Sequence, residues 1–131
     1  MANPNIVDVA TINGGSLGWN LANTLDSLIT VSAEYILKIN RIVVANVDGS
    51  SAADIDVAIT MAGTPAQTGV TVNTAAATTM YLAKTISVPA DASLVVSDTP
   101  IYLREGDNLQ AQASASGDLD LTITFELLTD T

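Results

Sequence analysis

The last third of the chain carries the feature that most restricts its fold. Leu119, Leu121, Ile123, Phe125 and Leu127 share one parity, and Asp120, Thr122, Thr124 and Glu126 share the other. An extended strand places successive side chains on opposite faces, so this stretch can bury one face and wet the other. The same period recurs upstream. Ile55, Val57, Ile59 and Met61 are expected inward, and Asp54, Asp56, Ala58 and Thr60 outward. Met80, Leu82, Ile86 and Val88 share one side of residues 80–88, and Leu109, Ala111 and Ala113 alternate with Gln110, Gln112 and Ser114. Residues 28–31, 94–96 and 101–103 read as shorter strands.

One run breaks the simple pattern. Residues 35–47 are apolar on both parities, with Leu37, Ile39, Val43, Ala45 and Val47 on one and Ile36, Ile42 and Val44 on the other. Lys38, Asn40 and Arg41 interrupt both stripes. A β-bulge near the interruption, or burial on both faces, accounts for such a run.

Turn formers separate the runs: Asp48-Gly49-Ser50, Pro89-Ala90-Asp91, Asp98-Thr99-Pro100, Arg104-Glu105-Gly106-Asp107 and Ser116-Gly117-Asp118. The last reads as a tight hairpin. Residues 63–79, rich in Thr, Ala, Gly and Pro, read as a long loop with one weak strand at 70–72. No stretch sustains a helical period beyond a turn at 32–34 or 75–77. Roughly eight short strands, with turn signals about every 8 to 12 residues, define an all-β antiparallel β-sandwich, either jelly-roll or immunoglobulin-like. Residues 1–25 stand apart. Asn3-Pro4-Asn5, Asn13-Gly14-Gly15-Ser16 and Leu17-Gly18-Trp19-Asn20 carry turn formers and little alternation, although residues 6–12 have strand character. The expected organisation is an extended N-terminal arm over 1–25 and a sandwich domain over 26–131, with an ordinary first strand and loop as the alternative for the arm.

Composition narrows the function. The chain has no His and no Cys, so Ser-His-Asp and Cys-His catalysis and the usual zinc ligand sets are absent. No Gly-rich phosphate loop precedes a helix. The expectation is a protein that is not an enzyme and that needs no cofactor or metal. With four Lys plus Arg against 14 Asp plus Glu, the net charge of −10 argues against nucleic acid or an anionic membrane as partner. The chain contains no apolar run of the roughly 18 to 20 residues that a spanning helix needs. Its first residues carry neither the basic nor the apolar region of a secretory signal. Only 14% of residues are charged, which suits a surface covered by copies of itself or by neighbours.

The acidic groups read as structural. Arg104-Glu105-Gly106-Asp107 suits a β-turn with Gly at positive φ and Asp as its cap. Asp48, Asp54, Asp56, Asp118 and Asp120 lack the ligand spacing of a calcium loop, so solvent-facing carboxylates are the expected reading and a calcium site the minority one. Lys38 and Lys84 read as ordinary strand-surface residues. Trp19, after Gly18 in the arm, suits either a plug over the sandwich edge or an interface anchor.

The stretch Ile101-Tyr102-Leu103-Arg104-Glu105-Gly106-Asp107-Asn108-Leu109-Gln110-Ala111-Gln112-Ala113-Ser114-Ala115, followed by the final alternating strand, resembles small β-sandwich virion proteins of tailed bacteriophages. Ile39-Asn40-Arg41-Ile42-Val43-Val44-Ala45-Asn46 and Ile86-Ser87-Val88-Pro89-Ala90 fit the same pattern, so the resemblance covers residues 35–127. It implies a non-enzymatic structural protein of the virion, of the capsid decoration or cement type. Proteins of this type are typically trimers or other rings, so the resemblance implies a homotrimer as the expected state, with copies of itself and the major capsid protein or other virion proteins as partners. A neck, tail or fibre-base protein is the alternative, and a sugar- or calcium-binding surface module a more distant one. On this reading Ile6, Val9, Ile12, Leu17 and Trp19 of the arm are the expected interface residues, and the 63–79 loop the next candidate.

Overall fold

Nine strands follow one another along the chain: β1 (Thr11–Asn20), β2 (Asp26–Thr30), β3 (Tyr35–Asn46), β4 (Ala53–Thr60), β5 (Thr79–Val88), β6 (Ser93–Ser97), β7 (Ile101–Leu103), β8 (Asn108–Ala113) and β9 (Leu119–Thr129). They are drawn from a computed structural model that describes residues 11–61, 73 and 78–129. The loop expected at 63–79 lies almost wholly outside the described residues, as does its weak strand.

The strand pairings are nested. β4 pairs with β5, β3 with β6 and β7, β2 with β8, and β1 with β9, all antiparallel. This is one long hairpin with the β4–β5 connection at its tip. Rolling the hairpin brings β9 against β3 and β8 against β4. Two sheets result, β1-β9-β3-β6 with β7 also on β3, and β2-β8-β4-β5. With β6 and β7 counted as one interrupted strand, this is the eight-strand jelly roll, and the immunoglobulin-like strand order is set aside. The interruption falls at Asp98-Thr99-Pro100, where proline removes an N–H from the ladder.

The sheets face each other across one core. Leu37, Ile39, Ile42, Val44, Leu103, Leu119, Leu121 and Ile123 of the first sheet meet Ile55, Val57, Ile59, Val88, Leu109, Ala111 and Ala113 of the second, all buried. The double stripe of residues 35–47 resolves as a bulge. The β3–β9 register shifts between Ile39 and Arg41, so the inward parity passes from Leu37 and Ile39 to Ile42 and Val44. Val43, Ala45 and Val47 therefore do not continue the inward stripe, and Val47 is exposed.

Two further expectations change for local reasons. β5 does not present Met80, Leu82, Ile86 and Val88 as one buried side. Its pairing with β4 shifts twice, and only Ala83 and Val88 are buried, leaving Met80, Tyr81, Leu82 and Ile86 exposed. Ser116-Gly117-Asp118 is a tight turn but not a hairpin, because it carries the chain from β8 in one sheet to β9 in the other. Gly117 has a φ of 90° and donates its N–H to the Leu21 carbonyl at 2.9 Å. A turn signal records a reversal of the chain and not the sheet that the next strand joins.

Asn46 ties the β3–β4 turn to the end of β5, where the chain passes between the sheets. Its buried amide donates from Nδ2 to the carbonyls of Ser51 at 3.0 Å and Val88 at 2.9 Å, and its Oδ1 accepts the Asp48 N–H at 2.9 Å. A fully satisfied buried amide fixes geometry without the cost of an unmade bond.

Core truncation should separate inside from edge. Ile123→Ala, at a fully buried position, is expected to cost about 2–5 kcal/mol in urea unfolding. Met80→Ala, on the exposed edge, is expected to change stability by no more than about 0.5 kcal/mol.

Candidate functional site: an open sheet edge and its groove

The residues expected as a free arm are in large part a strand of the sandwich. Thr11–Asn20 pairs with β9 from Thr11 opposite Thr129 to Asn20 opposite Asp120 without a register shift. Residues 21–25 then lead to β2, with the Leu21 N–H bonded to the Leu119 carbonyl at 2.9 Å and Leu21 itself buried. Glycines usually weaken a strand, which hid this one from the sequence pattern. Pairing along its full length with the well-formed β9 supplies what the glycines lack.

β1 is the outermost strand of its sheet. Edge strands offer unpaired backbone donors and acceptors, and proteins guard them with charge, proline, bulges or brevity. Each of the other edges carries such a guard. β2 has Asp26 and a register shift between Ser27 and Ile29. β5 has two shifts and Lys84. β6 and β7 are five and three residues long. β1 has ten residues, no charge, no proline and no shift, and only Trp19 along it is even partly buried. Gly14, Gly15 and Gly18 leave its backbone open to close approach by another chain.

The core is incompletely covered beside this edge. Thr11, Asn13, Gly15, Leu17 and Trp19 stand opposite Thr129, Leu127, Phe125, Ile123 and Leu121 of β9. Asn13 and Gly15 thus occupy the places where apolar side chains would cap Leu127 and Phe125. The Phe125 ring takes the space that Gly15 vacates, since a Cβ there would sit 3.0 Å from Cζ. What remains is an apolar groove of about 410 Å³ between β1 and β2, lined chiefly by Leu17, Ile29, Val31, Tyr35, Phe125 and Leu127.

The residues expected at an interface fall as follows. Leu17 lines the groove and is 46% exposed. Ile12, 58% exposed, lies on the opposite face of β1 and does not reach the groove. Trp19 is half-buried against the core, the position of a plug. Ile6 and Val9 lie outside the described residues. The groove itself was missed from sequence, although Gly15 facing an aromatic position of the final strand is the signal that pointed to it.

The polar constellations resolve into structural devices. In the Arg104–Asp107 turn, Gly106 has a φ of 82°, the Arg104 N–H donates to Asp107 Oδ2 at 3.0 Å, and Glu105 Oε2 accepts the Glu34 N–H at 2.9 Å. Asp48 Oδ1 accepts from the Ser50 N–H and hydroxyl, and Asp120 Oδ1 accepts from Asn20 Nδ2 at 2.7 Å. Asp56 holds the β5 bulge. Its Oδ1 accepts the N–H of Thr85, whose φ is 54°, and Lys84 Nζ lies 3.6 Å from Oδ2 and 4.5 Å above the Tyr81 ring. Lys38 pairs with Glu126 at 3.7 Å on a sheet surface. Among the described residues no group of three or more acidic, His or Cys side chains is placed to hold a metal ion.

No protein-family model matches the chain, and no curated protein matches it. A solved structure described as "Bacillus endospore appendages form a novel family of disulfide-linked pili" is similar over 92% of this chain and 88% of that one, at 15% identity and a TM-score of 0.45. That degree of likeness supports no statement about function.

If Asp56 serves the bulge alone, Asp56→Ala should cost about 1.5–3 kcal/mol in urea unfolding, the range for a hydrogen bond to a charged group. The mass of the protein in solution should not change.

Proposed function

We propose that the chain is a non-enzymatic structural protein of a tailed-phage virion, of the capsid decoration type. It binds the outer shell as an oligomer, expected to be a trimer, and stabilises it. The observation that carries the structural part of this reading is the β1 edge, ten uncharged and unguarded residues beside an apolar groove. A monomer in solution would be liable to edge pairing at such a strand, whereas a subunit of an assembly uses it.

The charge pattern supports the same reading. A net charge of −10 keeps free copies apart, and the long β1 edge, uncharged among the described strand edges, marks where approach is least opposed. Virion and decoration are carried by the resemblance of residues 35–127, and the jelly-roll strand order is compatible with it. Fold alone does not assign function. In a shell, many copies sum modest contacts into a strong hold.

Light scattering on the purified chain tests this. A stable trimer is the expected result. A hexamer or dodecamer would replace decoration with a neck or tail position, and a monomer at every concentration would remove the assembly reading.

A further inference from the structure

We propose that the groove between β1 and β2 receives residues 6–10 of a second copy of this chain, added as a strand along the free edge of β1. The inference deepens the assembly reading and rests on it. It names the surface, the partner and the segment exchanged.

The edge supplies the backbone half of the interaction. β1 runs unbroken for ten residues with its outer side unpaired by any described strand, and its glycines admit a close neighbour. Strand addition at such an edge draws affinity from main-chain hydrogen bonds and specificity from pockets for alternate side chains. The groove supplies the pockets, with Phe125 and Leu127 as floor and Ile29 and Val31 as the facing wall.

The chain contains a segment of matching chemistry. In Ile6-Val7-Asp8-Val9-Ala10, Val7 and Val9 share one parity and Asp8 the other. With both valines turned into the groove, Asp8 faces water and no charge is buried. Both have strand-favouring β-branched side chains. Pro4, just before the segment, cannot donate to a ladder and gives the added strand a natural end.

Direction favours a neighbour over the segment's own groove. β1 begins at Thr11, at the end of the sheet where Thr129 and Tyr35 also lie. The sequence from Ile6 to Ile12 contains no Gly, Pro or Asn, and its one turn-forming residue, Asp8, stands between two β-branched valines, so its pattern is that of a strand. Continued as extended chain, the five residues reach about 16 Å beyond Thr11, at roughly 3.3 Å each.

The test uses the full chain. Val7→Asp/Val9→Asp should reduce the oligomer to single chains by light scattering while the far-ultraviolet dichroism and urea midpoint stay unchanged, and Val7→Ile/Val9→Ile should keep the oligomer. The chain has no cysteine of its own, so Val9→Cys and Ser32→Cys can be placed on separate chains and mixed with a short bismaleimide. Ser32 lies at the mouth of the groove. A crosslinked pair holding one chain of each kind is expected. An oligomer that survives the aspartates overturns the proposal and leaves assembly standing. A third variant carries both cysteines on one chain, and crosslinking that occurs only within it, with no mixed product from the separate chains, places the segment in its own groove and also overturns the proposal. A wild-type chain that is monomeric throughout removes the assembly reading and this proposal together.

Discussion

The fold depends on where the last strand goes. β9 lies between β1 and β3, so one strand closes the rolled hairpin and holds the beginning of the described chain to its middle. Its inward residues Leu119, Leu121 and Ile123 are fully buried, and its pairings to both neighbours run nearly its whole length. Among the described strands β1 has no other partner. The contacts that define this sandwich are thus distant in sequence, an arrangement that folds slowly and exposes strand edges until it is complete.

Much of this was legible beforehand. Alternation at residues 109–113 and 119–127 located core strands, because a half-buried strand writes its burial into its sequence. At 54–61 it placed Ile55, Val57 and Ile59 inward, but Asp56 and Ala58, expected outward, are buried as well, because β4 lies inside its sheet between β5 and β8. The mixed run at 35–47 announced its bulge through Lys38, Asn40 and Arg41. What escaped was of another kind. Met80, Leu82 and Ile86 read as inward by parity alone, and the β5 bulges, one held by Asp56 on the preceding strand β4, reset that parity. The strand at Thr11–Asn20 was hidden by its glycines, whose conformation is set by β9 and not by themselves. Strand order was invisible, since a tight turn such as Ser116-Gly117-Asp118 serves a hairpin and a sheet crossing equally well.

The groove illustrates why a site can be less legible than a fold. No residue in it is chemically conspicuous. It exists because Asn13 and Gly15 stand where larger apolar residues would have completed the core, so its signal is an omission that gains meaning only once β1 is paired to β9. A chain without His or Cys draws attention to its carboxylates, yet these prove to cap turns and pin a bulge. The surface proposed for assembly is uncharged backbone beside an apolar trough.

The central claim is that the β1 edge is open in the isolated subunit and occupied in the assembled state. Amide hydrogen exchange, resolved along β1 in dilute protein and in the assembled form, tests it most directly. The account predicts that β3 and β9 are protected in both, and that the outward-facing amides of Thr11–Asn20 pass from fast exchange to protection on assembly. Assembly that leaves exchange along β1 unchanged would contradict it.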